Sequence, residues 1–488
     1  MRKIGVVLAS ATLAVAMLLL GSYIGNTTDV HEAQAQTVTT TSTQPNIVFI
    51  LVDDMRKGDI GYMPGTKALL QNAGMTFENA FVSNPICCPS RATIMRGQYA
   101  HNTHVWENRN SSTGGLDAYR ARGYEDDNVA TTLKAAGYRT ALIGKYLNGY
   151  HETTKPPPGW DEWFATLDPT TYKYFGYDIN DNGTVRHFGL RESDYKTDVL
   201  SRQTQSFIGS SATQPEPFFA YVAPVAPHLP ARPAPRHEHA YDGIDGPRPR
   251  SFDEMDVSDK PSWIRQLPRL TAAQVADIDT RHENRVESLQ AVDDLVEGVV
   301  DTLKKPAPDG TIPLDNTYIF FTSDNGFFHG EHRIPLEKYR PYEEDIRVPL
   351  LVRGPGIEAG STTGKLALNT DYLPTFARLA NTPKPTYVDG RSLTGVLDGS
   401  AATWRHAILI EGPQYKTVPP YRGIRTLDAN TQRKYVEYGG TSQREMYYLG
   451  SDPRELDNKG VPPAGLAARL DALRACKGDS CRTAENAH

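Results

Sequence analysis

Two adjacent cysteines, Cys87 and Cys88, stand in Pro85-Ile-Cys87-Cys88-Pro89-Ser90-Arg91-Ala-Thr-Ile-Met-Arg-Gly97. The chain has only four cysteines, and the other two, Cys476 and Cys481, lie close together near its end. A small terminal disulfide loop is expected for that pair in an exported protein. Adjacent free thiols in an oxidising compartment then ask for a chemical reason. Pro89 suits the first turn of a helix running through Met95. Cys87 would lie just before that helix start, where backbone N–H groups and the dipole favour anions. Arg91, four residues on, can turn back toward the same point. A nucleophile beside a cation and a helix start fits an anionic ester; a buried structural cysteine pair fits the same residues.

Asp53-Asp54 closely follows the apolar run Asn46–Val52, and Asp324-Asn325 follows Thr317–Thr322 and one serine. Three carboxylates and an amide oxygen are hard ligands, suited to Ca2+ or Mg2+ and not to zinc. Taken singly, each pair is more often a helix cap or a turn. Lys145 and His228 each come just past a predicted strand, and Lys338 lies in Leu-Glu-Lys338-Tyr-Arg-Pro. Alone in a loop, such a residue is usually a solvated side chain.

The elements that must position these residues are legible as alternating patterns. Asn46–Val52 and Thr317–Thr322 read as strands buried on both faces, with shorter ones at Thr140–Ile143 and Phe218–Val222. Val286, Leu289, Val292, Leu295, Val296, Val299 and Leu303 recur at helical spacing. This is an α/β pattern: a mixed, mostly parallel central sheet flanked by helices, with ligands beyond the carboxyl ends of the strands. Beyond residue 400 only short strands are expected, at His406–Ile410, Lys434–Tyr438 and Glu445–Leu449, closed by a helix near Leu466–Ala475. The expected organisation is a signal peptide (1–35), a linker (36–45), a catalytic α/β domain (46–400) and a smaller C-terminal β-rich subdomain (401–488).

Cys-x-Pro-Ser-Arg from Cys87 to Arg91, with a glycine following at Gly97, resembles the signature of the sulfatase family, which belongs to the alkaline phosphatase superfamily. The resemblance implies that Cys87, not Cys88, is oxidised to formylglycine by a formylglycine-generating enzyme. One hydroxyl of the aldehyde hydrate would attack sulfur to give a covalent sulfate ester, and the other would expel sulfate. It also implies that Asp53, Asp54, Asp324, Asn325 and the modified Cys87 hold one Ca2+ or Mg2+. Lys145, His228 and Lys338 match family positions that bind the sulfate or assist the leaving group, so with Cys87 and Arg91 they form the expected catalytic set. Many sulfatases carry a histidine two residues after the lysine of Gly-Lys. Leu147 stands there, leaving Asn148, His151, His101 and His104 as alternatives for a base. Gly-Lys-Tyr-Leu-Asn148, His101-Asn102 and Pro157-Pro-Gly-Trp160 resemble N-acetylglucosamine-6-sulfatases and the extracellular heparan endosulfatases. The implied substrate is a 6-O-sulfated glucosamine unit of a glycosaminoglycan-type sugar. Arylsulfatase action on other sulfated carbohydrates, a phosphodiester or phosphonate monoester hydrolase of the same superfamily, and an inactive sugar-binding relative are the alternatives.

Charge and composition narrow the setting. The net charge is −6, with Lys and Arg scattered, which gives no footprint for nucleic acid. Arg2-Lys3, the apolar stretch from Ile4 to Leu20 and Ala33-Gln-Ala35 have the layout of a secretory signal peptide, with an uncleaved anchor as the alternative. The remainder has no apolar run of spanning length, so a secreted, periplasmic or cell-surface enzyme is expected.

Overall fold

Asn46–Val52 forms β1, and its alternation shows why the run is apolar throughout. Ile47, Phe49 and Leu51 enter one hydrophobic cluster. Val48, Ile50 and Val52 enter another on the opposite face. A strand covered on both sides needs apolar residues at every position. The computed structural model describes residues 44–428 and 431–487; the expected signal peptide and residues 36–43 of the linker lie outside the described residues.

Nine further strands complete the sheet: β2 (Met75–Phe81), β3 (Arg139–Gly144), β4 (Glu162–Thr166), β5 (Tyr177–Asp181), β6 (Thr184–Phe188), β7 (Phe218–Ala223), β8 (Thr317–Ser323), β9 (Leu350–Arg353) and β10 (Ser361–Leu368). Their order is β10-β2-β9-β8-β1-β7-β3-β4-β5-β6. The central strands β8, β1, β7, β3 and β4 are parallel, while β9 and β5 run against their neighbours.

Helices cover both faces. Ala92, Ile94 and Met95 of α1 (Cys87–Arg96) pack in the first cluster. The second takes residues from α2 (Lys196–Ser211) and α3 (Ala272–Leu303). Helix α3 starts well before the expected apolar register, capped by the Thr271 hydroxyl on the Gln274 N–H. Its first turns are largely solvent-facing, so they carry no apolar period to read.

The C-terminal sheet is an antiparallel meander of β11 (Ala407–Gly412), β12 (Tyr421–Asp428), β13 (Thr431–Tyr438) and β14 (Arg444–Tyr448). Strand β12 shows no apolar period, because Arg422 and Arg425 interrupt its apolar residues. Arg425 is nevertheless buried, donating to Gln432 and facing Glu343. The helices Leu466–Arg474 and Asp479–Asn486 follow, tied by the Cys476–Cys481 disulfide.

Candidate active site

Four adjacent parallel strands, β8, β1, β7 and β3, end at one edge of the sheet. Val52 lies opposite Ser323 and Gly144 opposite Ala223, so the residues that follow are delivered side by side. Asp324-Asn325 follows β8, Asp53-Asp54 follows β1, His228 follows β7 after a short loop, and Lys145 follows β3. Gly144 has φ 117°, and a Cβ there would collide with the carbonyl of Ala223. Asp54 adopts the left-handed region at φ 67° without being glycine. Its N–H donates to Asp324 Oδ1 at 3.1 Å, and Arg285 Nη2 donates to its carbonyl at 2.5 Å.

Helix α1 brings Cys87 to this edge. Cys87 is the first residue of the helix, one place further in than expected, because Ile86 is the N-cap and its carbonyl accepts the Ser90 N–H. Pro89 sits in the first turn, where a missing N–H costs nothing. Cys87 Sγ is 3.4 Å from Asp53 Oδ1 and 3.9 Å from Asp54 Oδ1. Lys338 Nζ lies 2.8 Å from the same sulfur and 2.5 Å from Asp54 Oδ1. Lys145 Nζ donates to Asp53 Oδ2 at 2.5 Å, and His228 Nε2 is 3.5 Å from Asp54 Oδ2. His228 Nδ1 is 2.6 Å from the Leu229 carbonyl, a contact that requires the proton on Nδ1.

Arg91 is tied to Asp324 and to the backbone at the end of β3. Its fully buried guanidinium donates to Asp324 Oδ2 at 2.7 Å and to the Lys145 carbonyl at 2.9 Å. It holds one acidic residue and one strand end in place.

The charges are strongly coupled. Burial raises Asp324, and Asp53 adds to it, taking its carboxyl to about 6 despite Arg91. Burial works the same way on Asp53, but Lys145, His228, Arg91 and Lys338 outweigh it and hold the group below the usual carboxylate range. Burial also opposes the charge on Lys338 and Lys145, yet Asp54 and Asp53 respectively keep both well above the usual ammonium range. His228 is pushed down by burial against the pull of Asp54. Crowded carboxylates in a dry site are relieved by a hard cation. Donor atoms of Asp53, Asp54, Cys87 and His228 lie within 4.8 Å of one another, a grouping able to hold a metal ion. Asn325 donates Nδ2 to Asp54 while its buried Oδ1 has no hydrogen-bond partner.

The protein-family model described as Sulfatase matches residues 45–382. The chain belongs to the sulfatase family. It is accordingly a sulfuric ester hydrolase. A second model, described as N-sulphoglucosamine sulphohydrolase, C-terminal, matches residues 330–464. This sulfatase is 34% identical to the N-acetylglucosamine-6-sulfatase of Homo sapiens, over 98% of this chain and 91% of the relative. It is 31% identical to an arylsulfatase of Volvox carteri, over 90% and 76%. A structure solved in complex with its substrate, D-glucosamine-2-N,6-O-disulfate, superposes with a TM-score of 0.71 at 25% identity, covering 85% of this chain and 93% of that one.

Of the four alternatives for a base in this sulfatase, only Asn148 adjoins the cluster. Its Nδ2 donates to the Tyr172 hydroxyl at 2.6 Å, and the Tyr172 ring stacks on His228 with centroids 4.2 Å apart. His101 is engaged with Glu411 and the Cys476 carbonyl, while His104 and His151 are solvent-exposed. Leu147 is buried in the core. Tyr172, which also lies under Lys145 at 4.9 Å, and Arg285 join the site from outside the sequence motifs. Neither sits in a motif; a tyrosine in a loop and an arginine within an amphipathic helix carry no local signal.

Proposed function

We propose that this sulfatase removes the 6-O-sulfate from N-acetylglucosamine or glucosamine units of glycosaminoglycan-type sugars, using formylglycine made from Cys87 and a bound Ca2+ or Mg2+. The observation that carries the reading is the meeting of Cys87, Asp53, Asp54 and Asp324 with Lys145, His228 and Lys338 at one sheet edge. The human relative's name and the substrate in the superposed structure support the sugar.

Oxygens of Asp53, Asp54, Asp324 and Asn325, with the modified Cys87, would hold the cation, whose charge screens an anionic ester from its nucleophile. The formylglycine hydrate, produced by a formylglycine-generating enzyme, supplies the hydroxyls that attack sulfur and then release sulfate. The side chains do the rest. Lys145 binds sulfuryl oxygens, countering the charge that spreads over them, and His228 joins it when its ring carries a proton on Nε2 as well as on Nδ1. Lys338 Nζ gives a proton to the sugar oxygen as its bond to sulfur breaks. Arg91 keeps Asp324 and the Lys145 backbone in register. The signal peptide (1–35) directs the chain to the cell exterior or periplasm, and 46–400 and 401–488 act as catalytic domain and C-terminal subdomain. Among the described residues no helix is long and apolar enough to cross a membrane.

The test joins a peptide mass to a substrate panel. Active enzyme should carry the aldehyde at Cys87 with Cys88 still a thiol, and should release sulfate from glucosamine 6-sulfate. Full activity with an unmodified Cys87 would sink the nucleophile. Hydrolysis of galactose or uronic acid sulfates, with none of glucosamine 6-sulfate, would overturn the sugar alone. Lys338→Ala should damage the sugar sulfate far more than nitrophenyl sulfate, whose leaving group needs no proton; equal losses would make Lys338 a sulfate-binding group instead.

A further inference from the structure

Lys338 reaches Cys87 and Asp54 from an irregular stretch between β8 and β9, and that stretch is strained. His332, Arg333 and Tyr339 have φ of 51°, 63° and 80°, left-handed values that residues with a side chain rarely adopt. Such a backbone persists only where its surroundings over-determine it. For the residues on either side of Lys338, part of that support comes from the C-terminal sheet. The loop joining β11 to β12 carries Tyr415 and Lys416. The Tyr415 ring stacks face to face on Tyr339, with centroids 3.9 Å apart and planes 3° from parallel. Lys416 Nζ donates to Glu337 Oε1 at 2.6 Å. Two consecutive residues of one loop therefore grip both neighbours of Lys338.

The grip has a firm base on each side. Tyr415 and Val418 exchange backbone hydrogen bonds of 3.0 and 2.9 Å, and Val418 is buried. On the other side the Tyr339 N–H donates to the Pro85 carbonyl, two residues before Cys87, at 3.2 Å. Arg340 donates to the carbonyl of Lys338 and to Glu337 Oε2. The exposed Lys416–Glu337 pair contributes little by itself. The stacked rings supply a defined geometry.

We propose that Tyr415 and Lys416 are positioning residues for Lys338: the C-terminal sheet holds the Lys338 loop so that its ammonium stays on Cys87 and Asp54. The proposal rests on the role given to Lys338 above. Without the stack, Tyr339 loses part of what holds its left-handed conformation, and Lys338 can move off the sulfur. The consequence is felt only through Lys338, as a loss in kcat on sugar sulfates and not in KM.

The experiment is a double-mutant cycle in the full-length, matured enzyme. It compares Tyr415→Ala, Lys338→Ala and the pair, with Tyr415→Phe, Tyr415→Leu and Lys416→Gln as companions, on glucosamine 6-sulfate and nitrophenyl sulfate. Tyr415→Ala should lower kcat on the sugar sulfate about tenfold, as expected for a displaced catalytic group, and leave nitrophenyl sulfate nearly untouched. Tyr415→Phe keeps the ring and should recover most of that loss. In the Lys338→Ala background, Tyr415→Ala should cost nothing more. An equal fractional loss with and without Lys338, or an unchanged kcat in Tyr415→Ala, would overturn the proposal. Full activity in Lys338→Ala would refute the role of Lys338 and the proposal with it. Should Tyr415→Ala fail to fold, Tyr415→Leu, which keeps bulk without the stacking face, decides: a kcat loss confined to sugar sulfates supports the grip, and no change overturns it.

Discussion

Arg91 shows how much of the cluster's order depends on one side chain. It is buried between Asp324 and the strand end at Lys145, with Asp53 3.7 Å from Nη2. Removing one partner of a buried pair strands the other charge, at a cost of about 3–5 kcal/mol. Asp324→Ala should therefore both abolish divalent metal, read by elemental analysis, and lower stability by about that amount in denaturant unfolding. A variant that kept its metal would remove Asp324 from the ligand set. The two cysteines should separate just as clearly. Cys88 is buried in the core, with its thiol pushed up to about 12 by burial, and its N–H is accepted by Asn108. Cys88→Ala should lose about 1 kcal/mol for the small cavity yet keep turnover, while Cys87→Ala should fold and be inactive. Sulfate-release assays beside thermal unfolding read both.

At the scale of elements, the segment after α1 is pinned to the C-terminal sheet by an ionisable pair. His101 Nδ1 lies 3.1 Å from Glu411 of β11, and the His101 N–H donates to the same carboxylate. Burial opposes the charge on His101, but Glu411 outweighs it and raises the ring above its ordinary value. Burial likewise opposes ionisation of Glu411, which His101 and Arg422 hold below its ordinary value. The signs follow from linkage. The stability from His101 is complete below its unfolded value of about 6.5 and fades as pH rises through the raised one. That from Glu411 is present above its unfolded value of about 4.3 and fades as pH falls through the lowered one. The bridge is strongest between those limits, so His101→Gln should destabilise more at about pH 5.5 than at about pH 9. Thermal unfolding of both proteins at the two pH values checks it; an equal deficit would mean the ring is neutral throughout.

On the scale of the whole molecule, the chain end closes back on the site-bearing domain. The Cys476 carbonyl accepts from His101 and Asn102, and the Gly478 N–H donates to Asp389. The Cys476–Cys481 disulfide closes a loop five residues along the chain. Its chain-entropy contribution is about 2 kcal/mol, so Cys476→Ser with Cys481→Ser should lower the unfolding midpoint, and reductant should then have no further effect. What the sequence alone determined about this sulfatase was whatever local pattern encodes: strands buried on both faces, the α3 register, the Cys87 signature and the acidic pairs at strand ends. A strand end must point somewhere, and in a parallel sheet neighbouring ends point the same way, so Asp53, Asp54, Asp324, Lys145 and His228 could be expected at one edge. Only the tertiary structure decided the rest. Edge strand β6, exposed along nearly its whole length, β10, fully buried only over its last three residues, and β12, with charged residues paired inside, carry no clean period. Arg91 faces inward because its partners come from β8 and β3, far apart in the chain. The stack of Tyr172 on His228 and the grip of Tyr415 and Lys416 on the Lys338 loop join segments whose spacing no local rule relates. Contacts of that kind exist only once the sheet has set their distances.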